Sequence, residues 1–352
     1  RNRDNANGLQ ESSSCNWRDE PASPPPLGNP FDVALGSWEV FRHFSDSYSP
    51  MNRLFFTTIL LAGWLCVSLH SSVADPRPGS PLFRFGAIAD CQYCDKTSGK
   101  RKYNLSPKKL TACVEHYNKL ELSFVVHLGD FIDRDFESFD KVVPIYNRLK
   151  APHYHVLGNH DFEVADDKKA LVPAKLGLKK RYYEFSRKGW RFIAIDGNDV
   201  SLYAWPKDDP RTQAAAEYHK SLKPRPPSWN GAVGEKQLKW IEDKLQAATK
   251  AKERVMLFCH FPVYPKNSHN LWNAGALTDL LARYPCVAAY VNGHNHAGNH
   301  GQKDGIHYLT LKGMVDTEKN SYAVIEVYAD RLVVKGFGRE TERELPLTER
   351  SE

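Results

Sequence analysis

SFVVHLGD, residues 123–130, is a short apolar run that ends directly on a polar turn. The same order recurs in LFRFGAIAD (82–90), HYHVLGNHD (153–161), VMLFCH (255–260) and VAAYVNGHNH (287–296). Short apolar runs bounded by turn residues predict buried strands. Five predicted strands therefore each end on acidic, amide or histidine side chains.

Segments with helical periodicity lie between these strands. In the first of them, Leu110, Val114 and Tyr117 recur near the helical period. We predict helices over residues 107–120, 136–149, 235–250 and 274–283, and further strands over residues 190–196, 307–312, 322–328 and 331–338. This alternation predicts a layered α/β domain. In open α/β sheets ligands bind at the carboxyl ends of the strands, so we expect the polar clusters to meet at one edge.

Composition and charge narrow the classes of function. The apolar share of 41% and the aromatic share of 12% are typical of a globular protein with a sizeable core. The net charge of +6 favours anionic substrates, but no Lys/Arg run is dense enough to predict a nucleic-acid partner. Seven cysteines cannot all pair, which argues against a disulfide-stapled scaffold. No feature of the sequence predicts a protein partner.

Two segments precede the predicted domain. Residues 1–50 are rich in Asn, Ser, Pro and Arg without a sustained period, which predicts a disordered leader. Residues 51–74 combine a basic start, an apolar run and a small-residue site ending at Ala74, which predicts a cleaved signal peptide. An uncleaved N-terminal anchor and a buried apolar segment are the alternatives. The apolar run is shorter than the roughly 20 residues of a spanning helix, so we predict no stable membrane embedding beyond a signal or anchor.

These boundaries predict how the chain divides into domains and where the protein is located. We expect a catalytic domain over residues 75–345 and a tail over residues 346–352. If residues 51–74 are a signal peptide, the protein is exported to a periplasmic or extracellular location; otherwise it is cytoplasmic. On the signal interpretation Met51 is the natural start, and residues 1–50 do not belong to the native protein.

The polar clusters provide the donor types that two divalent cations need. Two cations about 3.5–4 Å apart require a ligand that bridges them, and a carboxylate such as Asp130 has the two oxygens to do so. The other donors divide into two sets: Asp90, Gln92 and His296 for one cation, and Asn159, His260 and His294 for the other. With two carboxylates against four positive charges, the site keeps a positive surplus that attracts phosphate.

This set of clusters resembles the calcineurin-like metallophosphoesterases over residues 82–340. The resemblance implies an α+β-like four-layer sandwich, in which two mixed β-sheets pack face to face and are flanked by helices. It places the metal site at the carboxyl ends of the strands. It also implies that His160 lies near the leaving group or the phosphoryl oxygens, and that Asp161 orients His160 by accepting its other N–H. Asp133 is expected outside the ligand set.

Gln92 departs from the commonest pattern of that family, which begins Asp-x-His. An amide oxygen is a harder ligand than imidazole, which shifts the preference from zinc toward manganese or magnesium. We therefore expect two divalent cations, with manganese favoured and magnesium, zinc, cobalt or iron as alternatives. The alternative for Gln92 is that it does not reach the metal and that a water fills the gap.

Several further stretches resemble the manganese-dependent ADP-ribose/CDP-alcohol diphosphatases. They are Asp-x-Gln (90–92), IDGNDVS (195–201), HFPVYP (260–265), LWN (271–273), GHNH (293–296) and LKGMVDT (311–317). The resemblance implies a small-molecule phosphate substrate, with hydrolysis of the diphosphate in ADP-ribose, CDP-choline or a related nucleotide. A phosphodiesterase or phosphomonoesterase of the same superfamily is one alternative, and a metal-dead interaction scaffold is another. Every expected ligand position has a competent side chain, which disfavours the scaffold.

The predicted substrate loops are the least regular part of the chain. Residues 198–234 are interpreted as a long irregular loop, which is typical of a lid or a disordered segment. Aromatic and apolar faces suit a nucleobase, so we assign the wall of a base pocket to Leu202, Tyr203, His269 and Trp272. The alternative is that Tyr203 and Trp272 only pack the loop.

Overall fold

The computed structural model describes residues 79–348. The predicted leader over residues 1–50 and the predicted signal segment over residues 51–74 lie outside these residues. Within residues 79–348, no helix combines the length and the hydropathy that crossing a bilayer requires.

Within residues 79–348, twelve strands form two six-stranded sheets. In chain order they are β1 Phe83–Ile88, β2 Phe124–His127, β3 His153–His155, β4 Tyr183–Arg187, β5 Trp190–Ala194, β6 Arg254–Phe258, β7 Val287–Asn292, β8 Asn299–Lys303, β9 Ile306–Thr310, β10 Ser321–Val327, β11 Arg331–Gly338 and β12 Arg343–Pro346. The first sheet has the order β12-β11-β10-β1-β2-β3, and the second has the order β4-β5-β6-β7-β9-β8. Both sheets are mixed: β1, β2 and β3 run parallel while β10 pairs antiparallel with β1, and β5, β6, β7 and β9 run parallel between antiparallel edge strands.

Helices connect the strands along the chain, and those with an apolar face cover the outer faces of the sheets. The helices are α1 Ser106–Tyr117, α2 Phe139–Tyr146, α3 Val172–Lys175, α4 Pro210–Ser221, α5 Glu235–Lys250 and α6 Ala274–Ala282. Short 3-10 turns occur at Tyr103–Leu105, Phe136–Ser138, His160–Phe162 and Lys169–Leu171. Apolar residues of α1 and α2 pack on the first sheet, and those of α5 and α6 pack on the second.

The two sheets pack face to face through aromatic side chains. Phe124 of β2 stacks on Phe85 of β1 with ring centroids 4.7 Å apart, and it meets Phe192 of β5 edge-on at 4.8 Å. These rings are fully buried, and burial of large aromatic surface is the main driving force for such a layer. The order of layers is therefore helix, sheet, sheet, helix, and the predicted four-layer sandwich is confirmed.

The boundaries differ from prediction at several elements. The strands β4, β8 and β12 were not predicted, and all three lie at the edge of a sheet. Their sequences YEFSR, NHGQK and RELP lack the continuous apolar pattern of the central strands because they are only partly buried. The predicted helix over residues 136–149 consists of a 3-10 turn followed by α2, which ends at Tyr146. At the C-terminus, Leu347 packs in the layer between the sheets, so this core continues two residues past the predicted domain end at residue 345.

The prediction of an irregular loop over residues 198–234 was wrong in one respect, because this segment contains the three-turn helix α4. Only Ala215 and His219 of α4 are buried, so the helix has almost no apolar stripe. Its start does have local signals: Asp209 caps the backbone N–H of Arg211, and Pro210 occupies the first turn.

Candidate metal centre

The predicted ligands converge because five parallel strands deliver them to one edge. The strands are β1, β2 and β3 of the first sheet and β6 and β7 of the second, and each ends a few residues before its first predicted ligand. Asp90, Gln92, Asp130 and His294 all have positive φ angles, between 44° and 66°. Non-glycine residues rarely adopt this left-handed region, and such strain is concentrated at functional sites.

Two glycines make room for the centre. Gly129 has a φ of +91°, and a Cβ there would lie 2.6 Å from Nδ1 of His260. A Cβ on Gly158 would collide with the backbone nitrogen and Oδ1 of Asp130. The chain can therefore bring Asp130 and His260 together only because both positions lack a side chain.

One half of the centre is built around His260. Its Nε2 lies 3.2 Å from Oδ2 of Asp130, 3.1 Å from Oδ1 of Asn159 and 3.0 Å from Nδ1 of His294. Asp130, His260 and His294 each offer a ligand atom, and these atoms all lie within 4.8 Å of one another. The donor set predicted for one of the two cations is therefore assembled.

The other half lies on the opposite side of the same carboxylate. Nε2 of Gln92 lies 3.3 Å from Oδ2 of Asp130, and Nε2 of His296 lies 3.5 Å from Oδ1 of Asp90. The backbone N–H of His160 holds Oδ1 of Asp130 at 2.8 Å, so Oδ2 is the oxygen that faces both halves. Oε1 of Gln92 is buried without a hydrogen-bond partner. A half-turn of the amide would bring this orphaned oxygen beside Asp130, where a cation would satisfy it.

Each ligand histidine is held through its other ring nitrogen. Nδ1 of His260 donates to the Leu128 carbonyl oxygen at 2.9 Å, Nε2 of His294 donates to Oδ1 of Asn230 at 2.9 Å, and Nδ1 of His296 donates to Oδ1 of Asp316 at 3.1 Å. These bonds direct the inner nitrogen of each ring toward the centre, which is how proteins present histidine to a metal. The residues thus fit two divalent cations.

Asn230 is the member of this arrangement that the sequence did not indicate. It follows the exposed Trp229 in the 222–234 segment, and no apolar period or strand end marks it. Its Nδ2 donates to the Ser268 carbonyl oxygen at 2.8 Å, so it is fixed between His294 and the 263–273 loop. Asp316 is easier to find, since it lies in the LKGMVDT stretch on which the resemblance partly depends.

The electrostatics of the buried site favour positive charge. Burial disfavours the carboxylate of Asp130, but the imidazoles of His260 and His160 outweigh it and lower the pKa of Asp130. Burial likewise opposes protonation of His260 and His296, yet the carboxylates of Asp130 and Asp90 raise the pKa of each imidazole to about 9. Without metal these carboxylates therefore hold protons on two ligand histidines, and divalent cations would take the place of those protons.

The role predicted for Asp161 was wrong. Asp161 is buried, and its carboxylate accepts backbone N–H groups from Gly158 at 2.9 Å, Phe131 at 2.8 Å, Ile132 at 3.3 Å and Asp130 at 3.2 Å. Burial, and then the charge of Asp130, raise the pKa of Asp161 to about 7. No oxygen of Asp161 remains for His160, because the carboxylate ties the strand-end loops of β2 and β3 together.

Asp133 is the residue that orients His160. Nδ1 of His160 donates to the carbonyl oxygen of Asp133 at 3.2 Å and lies 3.4 Å from its Oδ1. Oδ2 of Asp133 accepts from Nε of Arg134 at 2.7 Å, which holds the carboxylate in place. The half-buried ring of His160 therefore has Nε2 available for a substrate.

The four residues assigned to a base pocket separate into two groups. The ring of His269 lies 5.4 Å from that of His294, and Trp272 follows on the same loop, where its Nε1 donates to the Pro227 carbonyl oxygen at 3.0 Å. Tyr203 belongs to another segment and donates to Oδ1 of Asn198 at 3.0 Å, beside the half-buried Leu202. His269 is therefore the one of the four with a recorded contact to a metal ligand.

Arg101 is a further residue that the sequence reading did not single out. Burial opposes its charge, but the hydrogen bond to the Tyr103 hydroxyl, and then the charges of Asp130 and Asp133, raise the pKa of the guanidinium. Among residues 79–348 the only acceptor within hydrogen-bond distance of the Arg101 guanidinium is that hydroxyl, at 3.4 Å. A partly buried guanidinium near the centre, without a carboxylate partner, is suited to an anionic substrate.

Comparison with known proteins agrees with this geometry. A protein from Oryza sativa subsp. japonica named manganese-dependent ADP-ribose/CDP-alcohol diphosphatase is 30% identical over 316 residues, covering 79% of this chain and 98% of its own length. A protein of the same name from Arabidopsis thaliana is 30% identical over 298 residues, covering 74% of this chain and 95% of its own.

A solved structure supports the same grouping. The crystal structure of a dimetal phosphatase from Danio rerio has a TM-score of 0.69 and 26% identity, covering 76% of this chain and 100% of that one. Residues 83–298 match the calcineurin-like phosphoesterase family, and this range contains every predicted metal ligand. The chain belongs to the calcineurin-like phosphoesterase family and is a metal-dependent phosphohydrolase.

Proposed function

We propose that this protein is a manganese-dependent diphosphatase that cleaves nucleoside-diphosphate-linked compounds such as ADP-ribose or CDP-alcohols. The proposal depends on the position of Oδ2 of Asp130. This oxygen lies 3.3 Å from Nε2 of Gln92 on one side and 3.2 Å from Nε2 of His260 on the other. The names of the relatives from Oryza sativa and Arabidopsis thaliana supply the substrate class.

The ligand set explains why phosphate binds here. One cation would be held by Asp90, Gln92 and His296. The other would be held by Asn159, His260 and His294, and both would be held by Asp130. When bound, two divalent cations supply Lewis-acid stabilisation of phosphoryl oxygens and lower the pKa of a water. The two carboxylates Asp90 and Asp130 neutralise only half of the four positive charges, so the centre attracts an anionic substrate.

Two side chains of the protein act on the substrate beside the cations. Arg101 binds the second phosphate of a diphosphate, because its guanidinium has no carboxylate partner among the described residues. His160, oriented by Asp133, donates a proton from Nε2 to the oxygen of the leaving group. The leaving group of a diphosphate is itself a stable phosphate, so this proton matters less there than for an alkyl ester.

Metal add-back with a substrate panel tests the proposal. The full chain is stripped of metal, Mn²⁺, Mg²⁺, Zn²⁺ or Co²⁺ is restored, and ADP-ribose, CDP-choline and a chromogenic diester are assayed side by side. The proposal predicts the highest kcat/KM with Mn²⁺ on the two diphosphates. A preference for the diester would identify a phosphodiesterase instead, and no metal-restored activity on any phosphoester would identify a binding scaffold.

Arg101→Met separates recognition of the second phosphate from binding in general. We expect KM for ADP-ribose to rise about tenfold, since a charge-assisted bidentate contact is lost, while KM for the single-phosphate diester changes little. Arg283→Met is the matched control, because Arg283 is an exposed arginine at the C-cap of α6 that pairs with Glu242. Equal changes on both substrates in the Arg101 variant would exclude a role at the second phosphate.

We also propose that residues 51–74 are a cleaved signal peptide and that the enzyme acts outside the cytoplasm. The basic start, the apolar run and the small-residue site at Ala74 support this proposal. After expression of residues 51–352 in a host that recognises export signals, the N-terminal sequence of the recovered enzyme should begin at Asp75. Recovery of an intact segment in the cytoplasmic fraction would contradict export.

A further inference from the structure

The segment over residues 222–234 connects α4 to α5, and its first part is open to solvent. Residues 223–225 and 228–229 are exposed, and Trp229 keeps 48% of its surface accessible. The next residue, Asn230, is 0% exposed. A fully buried amide beside an exposed indole must be held by specific partners, because burying an amide without hydrogen bonds costs free energy.

Both ends of the Asn230 amide are hydrogen-bonded, and together the two bonds fix its orientation. Nδ2 donates to the carbonyl oxygen of Ser268 at 2.8 Å, and Oδ1 lies 2.9 Å from Nε2 of His294. A carbonyl oxygen can only accept, so the amide nitrogen must face Ser268 and the amide oxygen must face the histidine. The proton of a neutral His294 is therefore on Nε2. The bare nitrogen is Nδ1, which lies 3.0 Å from Nε2 of His260 in the metal centre.

The backbone after Asn230 is clamped between two neighbouring loops. A Cβ on Gly231 would lie 2.3 Å from the carbonyl oxygen of Gly197, so the two loops can touch there only because residue 231 has no side chain. The Gly231 carbonyl oxygen accepts the backbone N–H of Trp272 at 2.8 Å. Ala232 and Val200 exchange two backbone hydrogen bonds, of 2.8 and 3.0 Å. The position of Asn230 relative to His294 is therefore set by the packing of this segment on the loops around it.

The bond from His294 to Asn230 is, within residues 79–348, the only hydrogen bond that joins the 222–234 segment to a predicted metal ligand. A divalent cation on Nδ1 withdraws electron density from the imidazole, which makes Nε2–H a stronger donor. Metal binding thus strengthens the bond that holds the segment, and an ordered segment keeps the ring turned toward the metal. Such coupling is reciprocal, because each equilibrium changes the other by the same factor.

We propose that Asn230 is a positioning residue that couples the order of residues 222–234 to occupancy of the cation site at His294. These residues form the end of the predicted substrate loop over residues 198–234, so this loop is fully ordered only when metal has bound. The cation therefore precedes the substrate in productive binding. The inference rests on the metal centre and goes beyond the proposed diphosphatase activity, because no part of it depends on which phosphate compound is cleaved.

Calorimetric titration of the metal-free full chain with Mn²⁺ measures one direction of the coupling. Asn230→Ala removes the acceptor for Nε2 of His294, and we expect one Mn²⁺ site to weaken by about 10–100-fold while the other stays near its wild-type affinity. Asn230→Asp keeps an acceptor for this N–H and should restore most of the affinity. Asn118→Ala is the matched control, because the Asn118 amide also bridges two segments, through bonds of 2.8 Å to Arg148 and to Lys150, without contact to a predicted ligand. Two sites of wild-type affinity in Asn230→Ala would overturn the positioning role.

Hydrogen exchange followed by mass spectrometry measures the other direction and requires no substrate. In the wild type, saturating Mn²⁺ should slow exchange in a peptide covering residues 222–234 by about 5–100-fold relative to the metal-free chain. In Asn230→Ala the same peptide should exchange at its metal-free rate even with Mn²⁺ bound, while the loop over residues 129–133 stays protected. Equal exchange of the wild-type peptide with and without Mn²⁺ would overturn the coupling. A wild-type chain that binds Mn²⁺ with the expected protection but cleaves no diphosphate would overturn the proposed function and leave the coupling in place.

Discussion

Asp133 and Asp161 show how one buried aspartate can orient a histidine of the site while another ties two loops together. Asp133 lies in the loop after β2 and Asp161 lies in the loop after β3, and both side chains are buried. Asp133 holds Nδ1 of His160, whereas Asp161 accepts four backbone N–H groups from the loops after β2 and β3. The two residues should therefore respond differently to the same substitution.

His160→Ala should lower kcat more for esters than for anhydrides. An alkoxide leaving group needs a proton from Nε2 of His160, while a phosphate leaving group is stable without one. We expect a loss of about 10²–10⁴-fold on a chromogenic diester with a poor leaving group and a much smaller loss on ADP-ribose. Asp133→Asn should show the same pattern at reduced size, and equal losses on both substrates would rule out the assignment of His160 as proton donor.

Asp161→Asn should act mainly on stability. An amide nitrogen in place of Oδ2 cannot accept the N–H groups of Gly158 and Asp130, so two buried donors lose their partner. The free energy of unfolding should fall by about 1–3 kcal/mol, as measured by urea titration of the metal-free protein. The ratio of ester to anhydride activity should stay at the wild-type value, and a selective loss on esters would contradict the structural role.

At the scale of elements, the central strands were predictable and the edges were not. Val125 and Val126 of β2 face opposite layers and both are fully buried, so the strand is a continuous apolar run that is visible in the sequence. The ligands were predictable because each follows such a strand. Asn230 and Arg101 lie in loops whose path depends on tertiary contacts, and no local pattern marks them.

The contact between Asp133 and His160 was also not predicted from the sequence, because it too depends on tertiary contacts between loops. Both residues were noticed, but a sequence shows the spacing of residues along the chain and not which loop folds over which. The family resemblance had assigned this role to Asp161, the residue after His160, but the side chain of Asp161 points into the loops after β2 and β3.

His127 at the end of β2 should make the fold sensitive to acid. It is fully buried, neither ring nitrogen has a partner among the described residues, and burial holds its pKa well below the usual 6.5. The unfolded chain binds a proton below pH 6.5 and the folded chain does not, so stability falls as the pH decreases. At pH 5 the loss from this residue is about 2 kcal/mol relative to pH 7.5.

His127→Leu should remove that part of the acid sensitivity. Urea unfolding of the metal-free protein at pH 7.5 and pH 5.0 should show a loss about 2 kcal/mol smaller in the variant than in the wild type. His153→Leu, which removes a half-buried histidine from the neighbouring strand β3, is measured beside it as the control for loss of a histidine from this sheet. An identical acid loss in wild type and His127→Leu would show that His127 titrates normally in the folded chain.

Lys109 on α1 connects a helix to one half of the metal centre. Its buried ammonium donates to the carbonyl oxygens of Met314 at 2.6 Å and Thr317 at 2.7 Å. The same loop donates N–H groups to the backbone of Ala89 and Asp90, and it includes Asp316, which orients His296. Lys109 thus supports the loop behind the half of the metal centre that contains Asp90 and His296. It does not contact the half that contains His260.

Lys109→Met should weaken one Mn²⁺ site selectively. Calorimetric titration should show one site with affinity reduced at least tenfold and the other near its wild-type value, because only one loop is released. Lys108→Met, the exposed neighbour on α1, is the matched control and should change neither site. Equal weakening of both sites would indicate a general loss of folding rather than support of one half.

At the scale of the whole molecule, the metal centre joins the two sheets. The first sheet supplies Asp90, Gln92, Asp130 and Asn159 through the loops after β1, β2 and β3, and the second supplies His260, His294 and His296 through the loops after β6 and β7. Each predicted cation therefore takes ligands from both sheets. Metal binding should hold the sandwich together as well as activate phosphate, since a ligand that binds only the folded state stabilises it.

The shared carboxylate is tested most directly by titrating the metal-free full chain with Mn²⁺. Calorimetry counts the bound ions, and electron paramagnetic resonance reports whether they are coupled. Two Mn²⁺ ions per chain with an exchange-coupled spectrum are expected, because Oδ2 of Asp130 faces both halves of the centre. Asp130→Ala should lose the coupling and at least one ion. A wild-type protein that binds a single Mn²⁺, or two ions that are magnetically isolated from each other, would contradict a centre built on Asp130.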